Sequence, residues 1–254
     1  MKYSNSKKQL SLFLVVVMVI TFFCVASNAQ TISGVPKEIE SYERAMKEIQ
    51  TSLIPVSLEE IFEKGLSAAK ILMNRSNTLD WFTLERFDFD TFEKVKLMMT
   101  GFWVNRDDVV VVKPNPDFWV KLAMEKGSEI DKIFFHALQK TYIGWFPVYM
   151  KQSSDFSGCV IFDGETITEA YGQWFRFQKN YPDKYIFSVR TELEKIEDNM
   201  MNICICDDED NYLQELNNFV KLYPDASISD SVSSRLETTG KYELSIRFYC
   251  VGGM

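Results

Sequence analysis

Apolar residues along most of this chain recur three and four positions apart, the period that gathers them on one face of an α-helix. Ile39, Tyr42, Met46, Ile49 and Leu53 make the first such stripe, with Pro36 suited to its first turn and Pro55 to its end. Ser57 and Glu60 have the spacing of a capping box and predict a second helix carrying Ile61, Gly65, Ala69 and Leu72. Its small residues suggest close packing on the first. Asp90 and Glu93 mark a third helix start, with Phe92, Val95 and Met99 on its buried face and Gly101 after it. Residues 102–104 and 109–112 are β-rich and flank Asn105-Arg-Asp-Asp108, the pattern of a short hairpin or of one buried extended segment. Asp117 is placed to cap a helix ending at Lys126, with Gly127 after it. Ser128 opens another helix, with Ile130, Ile133, Phe134, Ala137 and Leu138 facing inward. Gly144, Pro147 and the polar residues 152–155 mark a boundary.

Beyond that boundary the pattern repeats. Residues 159–162 read as a short strand. Ile167, Ala170, Trp174, Phe177 and Tyr181 then form a helical stripe that Pro182 stops, and Ile186, Val189, Leu193, Ile196 and Met200 form another. A second strand is expected at 203–206. Tyr212, Leu216, Phe219 and Tyr223 lead to Pro224, and Ile228, Val232 and Leu236 follow. Gly240 is expected to break the last helix before a final strand over 242–250. The sequence F-x-K-x-Y-P-D stands at 177–183 and again, forty-two positions on, at 219–225. Each copy closes one helix and precedes the next, so each reads as the elbow of a helical hairpin.

These residues carry a family resemblance. Phe219-Val-Lys-Leu-Tyr-Pro-Asp225 and the helix after it, with the matching run from Phe177, resemble tetratricopeptide-type helical-hairpin repeats of bacterial envelope proteins over residues 166–238. In that family an aromatic helix ends in Tyr-Pro and the next hairpin helix starts there. The period here exceeds the usual ~34 residues, and two hairpins are fewer than such stacks normally need. The expected fold is mainly α (α+β). Residues 30–150 would form a helical bundle with a small β insertion, and residues 157–254 two helical hairpins tied by a small cysteine-bearing sheet.

Composition changes the picture at the N-terminus. Lys2, Lys7 and Lys8 precede an apolar run over 10–25, and Ser27-Asn28-Ala29 offers small residues for cleavage, so residues 1–29 read as an export signal that is removed. The run is short for a membrane span, and a stable membrane insertion after cleavage is not expected. The predicted localisation is periplasmic or extracellular. Loss of the three leader lysines deepens the formal net charge from −8 to −11. An anionic protein gains nothing from counterion release on nucleic acid and is repelled by anionic surfaces, so neither is an expected partner.

Export also governs how the cysteines are read. Cys159, Cys204, Cys206 and Cys250 remain after cleavage, an even number in an oxidising compartment, and they predict two disulfides across neighbouring strands. A four-thiolate zinc site fits the C-x-C spacing poorly. His136 is the single histidine and falls on a polar helix face with Glu129, Lys132 and Lys140, which leaves it outside any expected catalytic set. Asp207-Asp-Glu-Asp-Asn211 lacks the glycine and distal glutamate of an EF-hand loop, and reads as the acidic start of a helix. Each tryptophan neighbours a phenylalanine, as expected of core packing, or else of an aromatic groove for a peptide or glycan. No motif nominates a catalytic residue, a metal or a cofactor. The function that follows is an exported, non-catalytic interaction protein. Its partner would be another envelope or secreted protein, a basic one suiting the acidic surface. The alternative is a secreted hydrolase using a carboxylate pair such as Asp88 and Asp90.

Intact mass of the exported protein, denatured and treated with a thiol alkylator before and after reduction, tests the leader and the cysteines together. The expected species starts at or near Gln30 and takes up alkylator only after reduction. Retention of residues 1–29, or four alkylated thiols without reduction, would contradict these expectations.

Overall fold

The computed structural model describes residues 35–52, 57–76, 89–106, 110–151, 161–162, 166–202 and 209–242. The described fold is helix-dominated, with three short antiparallel strand pairs. In chain order α1 spans Lys37–Thr51, α2 Glu59–Ser76 and α3 Phe89–Met98. Strands β1, Phe102–Arg106, and β2, Val110–Pro114, pair from Phe102↔Pro114 to Arg106↔Val110. The hairpin alternative for this β-rich segment is therefore the one adopted, and β1 runs two residues further than its β-rich core.

Helices α4, Pro116–Lys126, and α5, Glu129–Thr141, follow as a tight pair. The start of α4 differs from expectation, and that of α5 agrees with it. Asn115, not Asp117, caps α4: its side chain accepts from the Phe118 N–H, and Pro116 takes the first helical position, where no N–H is needed. At α5 the cap is Ser128, as the sequence indicates, in a reciprocal box with Asp131. Three two-residue strands come next: β3, Tyr142–Ile143; β4, Phe146–Pro147; and β5, Met150–Lys151. β3 pairs with β4, and β5 with β6, Ile161–Phe162. The chain closes with α6, Thr166–Asn180; α7, Ile186–Asn202; α8, Glu209–Leu222; and α9, Ser229–Tyr242.

The stripes read from the sequence are largely the buried faces. Ile39, Tyr42, Met46 and Ile49 of α1 are buried, as are Phe92 and Val95 of α3 and Met99 just after it. Two positions are corrections. Ile133 and Ile186 were expected inward and are 43% and 58% exposed. Each lies at the margin of its stripe, where the 3.6-residue period has drifted out of the contact. A third correction concerns Gly240: α9 continues through it to Tyr242. A single glycine weakens a helix by only ~1 kcal/mol relative to alanine, too little to end it alone. The strand expected at 203–206 and the rest of the final strand lie outside the described residues. Among the described residues the strands carry no cysteine.

The core is aromatic. Phe62 of α2 meets Trp119 at 5.0 Å, Phe135 at 5.1 Å, Phe134 at 5.5 Å and Tyr185 at 6.4 Å between ring centroids. Trp119 and Trp174 are fully buried, and each satisfies its indole N–H: Trp119 donates to the Gly101 carbonyl at 2.8 Å, Trp174 to Thr141 Oγ1 at 2.9 Å. Gly65 shows why the second helix needs small residues. A Cβ there would stand 2.7 Å from Phe102 Cζ and 2.8 Å from Tyr42 Cε2, so α2 can approach both rings only without a side chain.

Candidate interaction surfaces

The two Tyr-Pro segments are elbows of the same construction. Tyr181 N–H donates to the Phe177 carbonyl at 2.9 Å and Lys184 N–H to the Tyr181 carbonyl at 3.1 Å. Forty-two residues on, Tyr223 donates to Phe219 at 2.8 Å and Ala226 to Tyr223 at 3.0 Å. In each, proline follows the tyrosine and cannot donate onward, so the helix ends there. Beyond this shared turn they diverge. The first elbow enters α7 through Tyr185, which holds a left-handed backbone at φ 51°. The second enters α9 through Ser229, whose hydroxyl donates back to the Tyr223 carbonyl.

Contacts between α6 and α8 advance together along both helices. Glu215 meets Thr168, Phe219 meets Tyr171, and Tyr223 meets Phe175. The two first helices therefore run in the same direction, and both elbows lie at the same end of the pair. Gly172 makes this approach possible, because any Cβ there would collide with the Tyr223 hydroxyl. The Glu197 carboxylate of α7 takes hydrogen bonds from Tyr171 and Ser227, joining both hairpins. Burial pushes this carboxyl up, against those two bonds, and Tyr171 is pushed up to about 12, by burial first and Glu197 second. Three large apolar side chains stand out at the elbow end: Ile186 at 58% exposure, Phe187 at 53% and Leu222 at 65%.

The inner side of the first elbow is polar. Tyr185 N–H donates to Glu59 of α2, Tyr185 Oη donates to Asp131 Oδ1 at 2.5 Å, and Ser188 Oγ donates to Glu63 Oε1 at 2.5 Å. Lys184 Nζ lies 3.6 Å from Glu59 Oε2. Burial pushes Glu63 above the usual carboxylate value; the Ser188 hydroxyl opposes this and the Glu59 charge adds to it. Both glutamates are thus occupied in holding the elbow.

A second group surrounds the β3–β4 turn. Tyr142 Oη donates to Glu192 Oε2 at 2.5 Å, and Lys195 Nζ pairs with Glu192 Oε1 at 2.7 Å. Lys113 Nζ donates to the Trp145 carbonyl at 2.7 Å and sits 6.0 Å from the Phe146 ring centroid. Burial lowers the Lys113 amine below its usual value, Lys195 lowers it further and Glu192 opposes. Trp103 and Trp145 lie half-buried with ring centroids 5.5 Å apart. Ile143 is 73% exposed and Phe146 39%.

The residues nominated by sequence are placed unevenly. His136 is exposed on α5, on the polar face as expected. Glu209, Asp210 and Asn211 lie in the first turn of α8, while Asp207 and Asp208 fall outside the described residues. Cys159, Cys204, Cys206 and Cys250 fall outside them too, with Asp88 and Trp81. Among the described residues no three His, Cys, Asp or Glu side chains converge as metal ligands, and no helix is long and apolar enough to cross a membrane. What the sequence reading missed are the buried acids Asp131, Glu192 and Glu215, each in phase with an apolar stripe. Comparison with known protein families, with curated proteins and with solved structures finds no match.

Because the folded value of Glu63 is raised, the folded state holds that proton more tightly. Its contribution is fully present below the ordinary value of 4.5 and is lost as pH rises through the raised value. Glu63→Gln keeps a carbonyl for Ser188 and removes the titration. Urea unfolding midpoints from acid to neutral pH should therefore fall less with rising pH in Glu63→Gln than in the native protein. Identical pH slopes would contradict the assignment.

Proposed function

We propose that this chain is an exported, non-catalytic protein-interaction module of the cell envelope or secreted fraction. The observation that carries the reading is the exposed apolar set Ile186, Phe187 and Leu222 at the elbow end of two hairpins that run side by side. Stacked helical hairpins are a scaffold for extended binding surfaces, and exposed large apolar side chains mark the positions that a partner would cover. The repeated elbow hydrogen bonds support the tetratricopeptide-type likeness of residues 166–238 at the level of the hairpin itself. The partner is another envelope or secreted protein, and the net charge of −8 favours a basic one.

The cysteines belong to the same proposal. Two disulfides among Cys159, Cys204, Cys206 and Cys250 would staple a pair of hairpins too few to bury a deep core. Each closed loop of forty-odd residues would contribute roughly 3–4 kcal/mol. A hydrolase reading would look first to Glu59 and Glu63, where a raised carboxyl neighbours a second one. Their bonds to Tyr185 and Ser188 give both a structural occupation instead.

Affinity capture of the exported protein from its own envelope fraction, read by mass spectrometry, is the test. A specific partner should be recovered by the native chain and lost, by about tenfold or more, from Phe187→Ser and Leu222→Ser. Both positions are exposed, so the substitutions should change stability by less than ~0.5 kcal/mol. Recovery of the same partner at the same yield by both variants would place its binding elsewhere and remove the elbow end from the account.

A further inference from the structure

The β3–β4 turn is a different kind of surface from the elbows. Its tip, Ile143-Gly144-Trp145-Phe146, is wholly apolar apart from its backbone. Ile143 and Phe146 are cross-strand partners, both exposed. Gly144 carries a positive φ of 60°, which closes the tight turn, and a Cβ built there would meet nothing within 4 Å. The tip thus projects outward instead of folding back on the protein. Trp145 in the turn and Trp103 of β1 stand half-buried beside each other.

The charge around this tip opposes that of the whole molecule. Lys140 is exposed in the last turn of α5 just before the tip, in a chain of net charge −8, whereas Lys132 at the far end of that helix is paired with Glu129. Lys113 and Lys195 approach the tip from other elements, over the rings of Phe146 and Tyr142 at 6.0 and 5.9 Å. Glu192 is the carboxylate that faces them, and it is 8% exposed and bonded to Tyr142 and Lys195. At physiological ionic strength charges act over only about 8 Å, so an incoming surface senses this basic neighbourhood more than the distant acids.

We propose that the β3–β4 tip docks reversibly into the interface of an anionic lipid bilayer, with Ile143 and Phe146 entering the acyl boundary. Trp103 and Trp145 then lie at headgroup depth, where an indole can keep its ring apolar and its N–H wet. The lysines meet lipid phosphates. An acidic peptide would satisfy the lysines, but it would not account for two exposed apolar side chains at the outermost point of the turn, flanked by tryptophans. The inference rests on the tip alone and is independent of what the hairpin elbows bind.

The test uses the exported form of the protein and vesicles containing phosphatidylglycerol, against vesicles of phosphatidylcholine alone. The native protein should co-sediment with the anionic vesicles, less so as salt rises, and brominated lipid should quench part of its tryptophan emission. Ile143→Asp should reduce partitioning by about tenfold or more, because a charge replaces an inserted side chain. Leu97→Asp, at a position 77% exposed on α3, should leave it unchanged. Trp145→Phe should remove much of the quenching. The proposal is overturned if the native protein ignores anionic vesicles, or if Ile143→Asp and Leu97→Asp bind as the native protein does. It is equally overturned if polyglutamate binds the tip while vesicles do not.

Discussion

Among the side chains that join the N-terminal helices to the hairpins, Tyr185 makes the most central contact. Tyr185 stacks on Phe134 with ring centroids 3.7 Å apart, and its hydroxyl donates to Asp131. Asp131 is 2% exposed, a carboxylate that would be costly to bury alone. It is tolerated because three donors converge on it: the Tyr185 hydroxyl, the Ser128 N–H at 2.7 Å and the Ser128 hydroxyl at 2.8 Å. The acid that completes the α5 capping box from its third helical position is therefore also the anchor of the first elbow. Burial and the Asp131 bond push the Tyr185 phenol far above its ordinary value, which keeps it a donor. Its left-handed backbone costs roughly 1–3 kcal/mol in a non-glycine residue, and the Asp131, Glu59 and Phe134 contacts offset that.

With the first elbow fixed, the second hairpin has a template. Thr168 ties the start of α6 to Glu215 of α8 through its N–H and hydroxyl, while Tyr223, just past the end of α8, reaches across to lie against Gly172 of α6. At the far end of the second hairpin, Arg235 of α9 donates to the Met200 carbonyl of α7. The polar contacts fall at the rims of the aromatic packing. They set direction and register, while buried apolar area supplies most of the stabilisation. The elbow end and the β3–β4 tip both carry large apolar side chains that face outward.

The helices were legible because their stripes keep a strict period over four or five residues. The Tyr-Pro elbows were legible because proline forbids the next donor. Asn115 as the cap of α4 was not, since Asn115 and Asp117 are both good capping residues and only the position of Pro116 decides between them. Asp131, Glu192 and Glu215 could have been found. Each falls in phase with an apolar face, Glu192 three residues after Val189 and Glu215 three after Tyr212, and an acid there must have a partner. The partners themselves were out of reach. Tyr185 lies fifty-four positions from Asp131, and no local pattern encodes that meeting. The exposed tip was hidden for the opposite reason. In the sequence Gly144 and Pro147 mark only a boundary, and only the geometry shows that Ile143 and Phe146 face out.

The coupling between Tyr185 and Asp131 holds the first elbow, and a double-mutant cycle measures it directly. Urea unfolding of the native protein, Tyr185→Phe, Asp131→Asn and the double variant gives the interaction energy free of each residue's other contacts. A buried hydrogen bond to a charged group predicts a coupling of about 1.5–3 kcal/mol, with Tyr185→Phe destabilising on its own. Additive effects, with Tyr185→Phe within ~0.5 kcal/mol of the native protein, would show that the first elbow is held by something else.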